Sequence, residues 1–513
     1  MKNKYWLLSF LLLLGCLFSS CKKFSYYQIN PNLPTQADPS LLLPNVEQIF
    51  FSTISVENEF SCRYMVYSES ADNGQYYGWT RGSFNYNNLS QVIKMEQEAA
   101  RVNKPNYKYL GKFFASYFIV GTTQMFGDVP YSQAEQSLIS NNFSAAALHP
   151  AYDKQEAIYL QVLNDLKLAS DSLSDAGGAI NNDLIYGGNI TQWKKAINSY
   201  YLRVLMSLSL HANDATLNIT QRFNEVVSNP TKYPLFASNA DNAQLQYHDI
   251  AGSRYPYYNS SEAKIYYLMD NSFVQMLKGL KDPRLFVYAA PTVNATSAGL
   301  TPTDFNAYNG VQGSAVISVI QQQQSSGNVS QFNSRYYFEP ANEPSVLMSY
   351  AELQFILSEA VIRGWISGNA NSYYTAGITA AMQFSDYNFP AAQGVPYVGQ
   401  LYTDNDIQTY LSQPVIPLKA GTEIQQIITQ KYISMFMNTG LQPFFENLRT
   451  GFPVFEVAGA GIINQVNGVN AVPKRWMYPT DEIGNNATNV NNAIKSQYPN
   501  GDNINGVMWL LQP

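Results

Sequence analysis

Apolar residues recur at three- and four-residue spacings over five stretches of the chain, and each stretch predicts a helix. In KQEAIYLQVLNDLKLASDSL (154–173) the positions Ile158, Val162, Leu163, Leu166, Ala169 and Leu173 share one face, and Asp171, Ser172 and Ser174 mark its end. YKYLGKFFASYFIVGTTQMFG (107–127) is apolar around more of its circumference, which predicts a central helix covered by neighbours. TQWKKAINSYYLRVLMSLSL (191–210) starts at a threonine cap after the tight turn YGGN. VLMSYAELQFILSEAVIRGW (346–365) keeps apolar or small residues at Leu347, Tyr350, Ala351, Phe355, Leu357, Ala360 and Val361, and TEIQQIITQKYISMFMNT (422–439) supplies the fifth.

Helices of this size arriving in pairs, with small residues such as Ala351 and Ala360 where neighbours approach, point to stacked helix-turn-helix units of the tetratricopeptide kind, although no strict 34-residue repeat is present. The intervals 211–265, 289–345 and 385–420 are rich in Asn, Gly, Pro, Ser, Gln and Tyr. Structureless segments of that length are uncommon in a compact domain unless they carry function or short strands of their own. The expected fold is mostly α, a tetratricopeptide-like helix-pair scaffold with long loops and minor β elements.

The first residues stand apart from this pattern. MKNKYWLLSFLLLLGCLFSSCKK has a basic start at Lys2 and Lys4, an apolar run from Tyr5 to Phe18, and small residues at Ser19 and Ser20 before Cys21. The run is short for a membrane span and reads as an export signal. A cysteine directly after the small residues resembles a bacterial lipoprotein signal, whose thiol is acylated before cleavage. Residues 1–20 are then the signal, Cys21 the first mature residue, and 21–513 one large domain with long aromatic-rich insertions. Cys16, after Leu13-Leu14-Gly15, is the rival site but would halve the apolar run, whereas Lys22 and Lys23 mark where that run ends.

With the signal removed, Cys21 and Cys62 remain, so a lipidated Cys21 leaves no pair for a disulfide; Cys62 reads as a small buried residue. The mature chain of about 490 residues is long enough to be held by its core. Charged residues are only 13% of the chain and the net charge is −6, so no basic surface exists for nucleic acid or anionic lipid. The chain instead carries 38 Tyr, 27 Phe and 6 Trp, a mixture suited to neutral, hydroxyl-rich ligands because tyrosine has an apolar face and a hydrogen-bonding tip.

Catalytic chemistry is thinly represented. His149, His211 and His248 are scattered without ligand spacing, which argues against a metal site, and no nucleophile elbow, P-loop, zinc-protease helix or dinucleotide glycine pattern occurs. No cofactor is called for. Among acids near aromatic segments, Glu69, Asp72, Asp249, Glu262 and Glu339 read as capping or solvated residues rather than a glycosidase pair.

Six segments in order, NPNLPTQADPSLLLPNVE (30–47), FGDVPYSQA (126–134), YGGNITQWKKAINSYYLRVLM (186–206), YAELQFILSEA (350–360), QKYISMFMNTGLQPFFENLRTGFP (430–453) and VPKRWMYPTDEIGNN (472–486), together resemble the SusD/RagB family. The resemblance implies a non-catalytic outer-membrane lipoprotein on a helical tetratricopeptide-like scaffold, surface-exposed through its lipid anchor. Its implied partner is a SusC-like TonB-dependent transporter, to which it passes captured oligosaccharide; a peptide-capturing lipoprotein of a peptide importer is the alternative, and a surface glycoside hydrolase a more distant one. Physically, FGDVPY ends a helix at Gly127 and turns through Asp128 and Pro130, and KRWMYP sets Arg475 beside Trp476 and Tyr478 as a cation on an aromatic.

In such a family the loops carry rings that stack on sugar faces. NGQYYGWTRGSFNYNN (73–88) holds Tyr76, Tyr77, Trp79, Phe84 and Tyr86 with no aliphatic run, and Asn73, Gln75 and Arg81 are positioned to meet hydroxyls. GSRYPYYNSSEAK adds Tyr255, Tyr257 and Tyr258, and NSRYYFEP adds Tyr336 and Tyr337. Each ring alone could equally pack under its own loop; as sets they are the expected ligand contacts.

Overall fold

The computed structural model describes residues 36–385 and 403–512; Cys21, the signal and residues 386–402 of the third long interval lie outside them. Nine helices carry the architecture: α1 (Pro39–Phe51), α2 (Tyr86–Arg101), α3 (Pro105–Phe126), α4 (Gln155–Ser172), α5 (Ile190–Ser207), α6 (Tyr350–Ile362), α7 (Ala370–Ser385), α8 (Glu423–Ser434) and α9 (Gln442–Thr450). They stack in pairs, α2 on α3, α4 on α5 and α6 on α7, with α3 against α4, α5 against α6 and α8 against α6 joining the pairs. As its all-round apolar pattern predicts, α3 is buried along most of its length. Ala351 and Ala360 are buried on α6, and α7 comes so close that a Cβ at Gly377 would lie 2.8 Å from the Phe355 ring.

Helix ends follow local chemistry. α3 stops at Gly127, whose φ of 89° suits glycine, and the Asp128 carboxylate then accepts the Gln155 N–H at 2.9 Å, holding the start of α4. α5 is capped by Asn189, which accepts the Gln192 N–H at 3.1 Å, rather than by the expected Thr191. The shift arises because Asp183 accepts the Gly188 N–H at 2.8 Å and the Trp193 indole N–H at 2.7 Å, closing the turn so that the cap falls two residues before the threonine. The expected helix from 346 divides: Ser345–Met348 form a strand, and Ser349 caps α6 by accepting the Glu352 N–H at 3.1 Å. The helix expected to reach 439 ends at Ser434, and the chain turns through left-handed backbone at Met437 and Thr439.

Short strands join segments between the helices, two of them within or at the edge of the long intervals. β1 (Met65–Tyr67) pairs antiparallel with β3 (Tyr267–Met269), and β2 (Ala243–Leu245) with β4 (Ser345–Met348). Cys62 is buried, as expected.

A buried ion network ties four helices. Arg203 on α5 donates from Nε to Glu352 on α6 at 2.8 Å. Lys431 on α8 lies 3.7 Å from Glu352 and 2.9 Å from Glu446 on α9. Arg449 on α9 reaches Glu359 on α6 at 2.5 Å and also pairs with Glu446.

The last forty residues are laced back through this scaffold. Trp476 donates its N–H to the Met125 carbonyl at 2.9 Å, Tyr478 its hydroxyl to the Asp128 carbonyl at 2.7 Å, and Leu510 its N–H to Gln155 Oε1 at 2.8 Å. Arg475 is buried over the rings of Tyr498 and Tyr478, 4.0 and 4.8 Å from their centroids, as the KRWMYP reading expects.

Candidate functional site

The strand pair β1–β3 gathers segments that are far apart in sequence. Tyr67 faces Tyr267 across the ladder, and the Ser68 N–H bonds the Tyr266 carbonyl at 3.1 Å. The segment 255–259 folds onto 337–340 through the Tyr255 N–H to the Pro340 carbonyl, 2.7 Å, and the Asn259 N–H to the Tyr337 carbonyl, 2.8 Å. From the short helix Ile317–Ser325, Gln321 donates its amide to the Ser68 and Glu69 carbonyls at 3.1 and 3.0 Å, and Gln324 donates to the Ile265 carbonyl at 2.6 Å. Both strand ends are thereby clamped from one side.

Tyr67, Tyr257 and Tyr266 are half-buried rings in contact with this ladder, and Tyr258 and Phe338, also half-buried, belong to the segments 255–259 and 337–340 that fold onto each other. Tyr67 meets Tyr266 edge-on at 6.2 Å, and Tyr257 meets Tyr267 edge-on at 6.1 Å. Their rims carry polar partners. Tyr67 donates to Glu69 at 2.5 Å, Tyr267 to Glu262 at 2.9 Å, and Tyr257 Oη accepts the Val56 N–H at 2.8 Å. Arg254 lies 5.2 Å over Tyr258 and pairs with Asp249 at 2.7 Å, while Lys264 lies 5.3 Å over Phe338. The hydrogen bond to Glu69, with burial adding to it, raises the Tyr67 phenol above its ordinary range; burial does the same for Tyr257 and Tyr267. These phenols stay protonated at physiological pH; Tyr67 and Tyr267 give their single O–H to the carboxylates, and Tyr257, which accepts from Val56, keeps its own.

The sequence-selected residues divide sharply. Tyr257 and Tyr258 lie on this surface. Gln75, Tyr76, Tyr77, Trp79 and Phe84 are buried instead, as are Tyr255, Tyr336 and Tyr337, so none of these rings offers a free face to a sugar in this structure. Each is claimed by the core. Tyr76 donates to the Ala315 carbonyl at 2.9 Å, Tyr77 to the Ser61 carbonyl at 2.9 Å, Trp79 stacks on Trp476 at 3.6 Å, and Tyr336 stacks on Phe332 at 5.7 Å. Gln75 accepts the Tyr67 N–H at 2.7 Å, which places it behind the surface as a support. Tyr86 opens helix α2 and is half-buried. Asn73 is exposed; Arg81 is exposed but paired to Asp502 at 2.7 Å and to the Tyr478 carbonyl at 2.6 Å.

Tyr67, Tyr266 and Phe338 were missed by sequence: MVY and IYYLM are buried without alternation except at their ends, so no period-two pattern marks the half-buried tyrosines there. The candidate acids are engaged locally: Asp72 accepts the Gln75 N–H at 2.9 Å, and Glu69, Glu262 and Asp249 hold the partners given above. Glu339 is half-buried. Among the described residues no group of three His, Cys, Asp or Glu is placed to hold a metal ion.

Comparison with known proteins places this geometry in a family. The family model described as starch-binding and associating with the outer membrane, SusD-like, matches residues 31–479. A SusD homolog from Bacteroides fragilis is 38% identical, with a TM-score of 0.82, over 93% of this chain and 100% of its own. A second SusD homolog from the same species is 32% identical, TM-score 0.84, over 92% and 100%. An outer membrane protein from Bacteroides vulgatus, assigned to nutrient binding, is 34% identical, TM-score 0.83, over 93% and 100%. No curated protein matches the chain. With its helical scaffold, its tyrosine-bordered ladder and these matches, the chain belongs to the SusD-like family of non-catalytic, nutrient-binding outer-membrane proteins.

Proposed function

We propose that this protein captures neutral oligosaccharides on the surface formed by Tyr67, Tyr257, Tyr258, Tyr266 and Phe338 and delivers them to a SusC-like TonB-dependent transporter. The observation that carries the reading is the ring surface itself, with protonated phenols and carboxylates at its rim. Sugar rings expose C–H patches that pack on flat aromatics, while their hydroxyls need donors and acceptors beside them; a charged ligand would meet little net charge here. Asn73, two residues before the Gln75 that holds Tyr67, is the amide nearest in sequence to this support.

Binding of a panel of soluble starch, xylan, chitin and pectin oligosaccharides, measured by calorimetry, tests the reading. Tyr258→Ala and Tyr266→Ala should each weaken the glycan that the wild type binds by about 5- to 100-fold, as expected for one stacked ring, with a nearly unchanged melting temperature. Failure of the whole panel alongside tight binding of mixed peptides would move the function to peptide capture.

The same reading makes residues 1–20 the export signal, Cys21 the lipidated residue and 21–513 one mature domain. Each buried acyl methylene contributes about 0.8 kcal/mol, so several chains anchor firmly. Wild-type protein should sediment with outer membranes and, in mild detergent, bring down a large barrel protein, whereas Cys21→Ala should be soluble. Retention of Cys21→Ala in the membrane while Cys16→Ala is released would reassign the anchor.

A further inference from the structure

A cavity lies where the β2–β4 ladder meets the end of α7. It measures about 410 Å³, and five amide side chains line it: Asn239, Gln244, Gln246, Asn342 and Gln383. Such a concentration of amides with one ring, Phe384, is the inverse of an apolar core pocket. Among the described residues of its wall there is one carboxylate, Glu343, bound by Arg335 Nε at 2.6 Å and by the Asn342 amide at 2.6 Å.

The polarity of the amides is set by their protein partners. Asn239 donates its NH2 to the Ala380 carbonyl at 2.9 Å, Gln246 to the Ala341 carbonyl at 2.7 Å, and Asn342 to Glu343. Each of these NH2 groups carries a second N–H, and two carbonyl oxygens are left with no partner. Asn239 Oδ1 and Gln244 Oε1 are buried and accept no hydrogen bond. A buried acceptor without a donor is costly, so the site favours a ligand that brings O–H or N–H groups. An anion would be repelled by the two unpartnered carbonyl oxygens. A divalent cation would lack the free carboxylates it requires. A peptide backbone brings one N–H per residue and no flat apolar face for Phe384. A neutral pyranose brings several hydroxyls that both donate and accept, together with a C–H face for that ring.

The cavity is also joined to the tyrosine surface by short pieces of chain. Gln246 precedes Tyr247, whose ring meets Tyr255 edge-on at 5.7 Å, and Tyr255 in turn meets Tyr257 at 6.2 Å. Phe338 and Asn342 are four residues apart, a reach of at most about 14 Å. We infer that this amide cavity is a second sugar site, taking one neutral pyranose unit of an oligosaccharide whose other units lie on the tyrosine surface. The inference rests on the glycan-capture reading and extends it to a minimum ligand length.

The test uses the full mature protein and a series of oligosaccharides from two to six units of the glycans named above, with calorimetry and crystals soaked in the longest member. Wild-type affinity should rise with chain length, and Gln244→Leu and Phe384→Ala, the latter a half-buried position at a helix end, should each flatten that rise by about tenfold at six units. The soaked crystal should place a sugar hydroxyl on Gln244 Oε1 or Asn239 Oδ1. Unchanged length dependence in both variants, with only water in the soaked cavity, overturns the second site while Tyr258→Ala still reports on capture. A peptide seated in the cavity overturns it as well. No sugar bound anywhere, in solution or crystal, overturns both readings.

Discussion

Trp79→Ala is expected to cost the fold about 3–5 kcal/mol and to lower the melting temperature by several degrees, while leaving glycan affinity within about twofold. Its indole lies 3.6 Å from the Trp476 ring, nearly parallel, and 4.8 Å from Phe444, and it meets Tyr77 edge-on at 6.1 Å. Truncation therefore opens a cavity between two segments 397 residues apart in the chain, where neighbouring rings cannot collapse without losing their own stacking. Trp79→Phe, which keeps most of the volume, should lose much less. A variant that melts like the wild type but no longer binds glycan would instead put Trp79 at the ligand.

Glu352→Gln should be nearly as damaging, at about 3–5 kcal/mol, because it leaves the Arg203 guanidinium buried with one charge fewer to balance it. Urea unfolding measures this directly. Replacing the pair together, Arg203→Met with Glu352→Leu, should recover most of the loss, since a buried ion pair is often no better than an apolar pair of similar size. A double variant as unstable as the single one would show that the network is needed for more than charge balance. The same network gives stability a sign with pH. Burial alone would raise the Glu359 and Glu446 carboxyls, but Arg449, joined at Glu446 by Lys431, holds both below the ordinary value of 4.5. Their contribution is present above that value and lost as pH falls below it, so the wild type should weaken between about pH 5 and 3 more steeply than Glu446→Gln.

The helical scaffold was legible because its signal is local. A three- and four-residue period survives in α3, α4 and α5 whatever surrounds them, and the slips are confined to ends, where Asp183 moves a cap and β2 recruits Ser345–Met348 into a strand. The site was legible only in part. Tyr257 and Tyr258 are half-buried with part of each ring exposed, yet the richest aromatic stretch, around Tyr76, Tyr77 and Trp79, is core. Aliphatic residues were absent from that stretch because its apolar partners, Phe444 and Trp476, come from the other end of the chain. A buried tyrosine also satisfies its own hydroxyl on a nearby carbonyl, as Tyr77 does on Ser61, so a polar-looking composition is compatible with complete burial. No local pattern distinguishes such a ring from one that waits for a ligand.

The lacing of the last forty residues through the helices bears on when this protein can fold. Trp476, Tyr478 and Leu510 complete the packing of α3, α4 and the Trp79 region, so the core remains open until the final segment has been synthesised. Closing loops of several hundred residues is slow compared with forming a local helix pair. Until residues 476–510 are made, α3 and α4 lack partners that they hold in the folded protein, so native packing comes after helix formation and not with it.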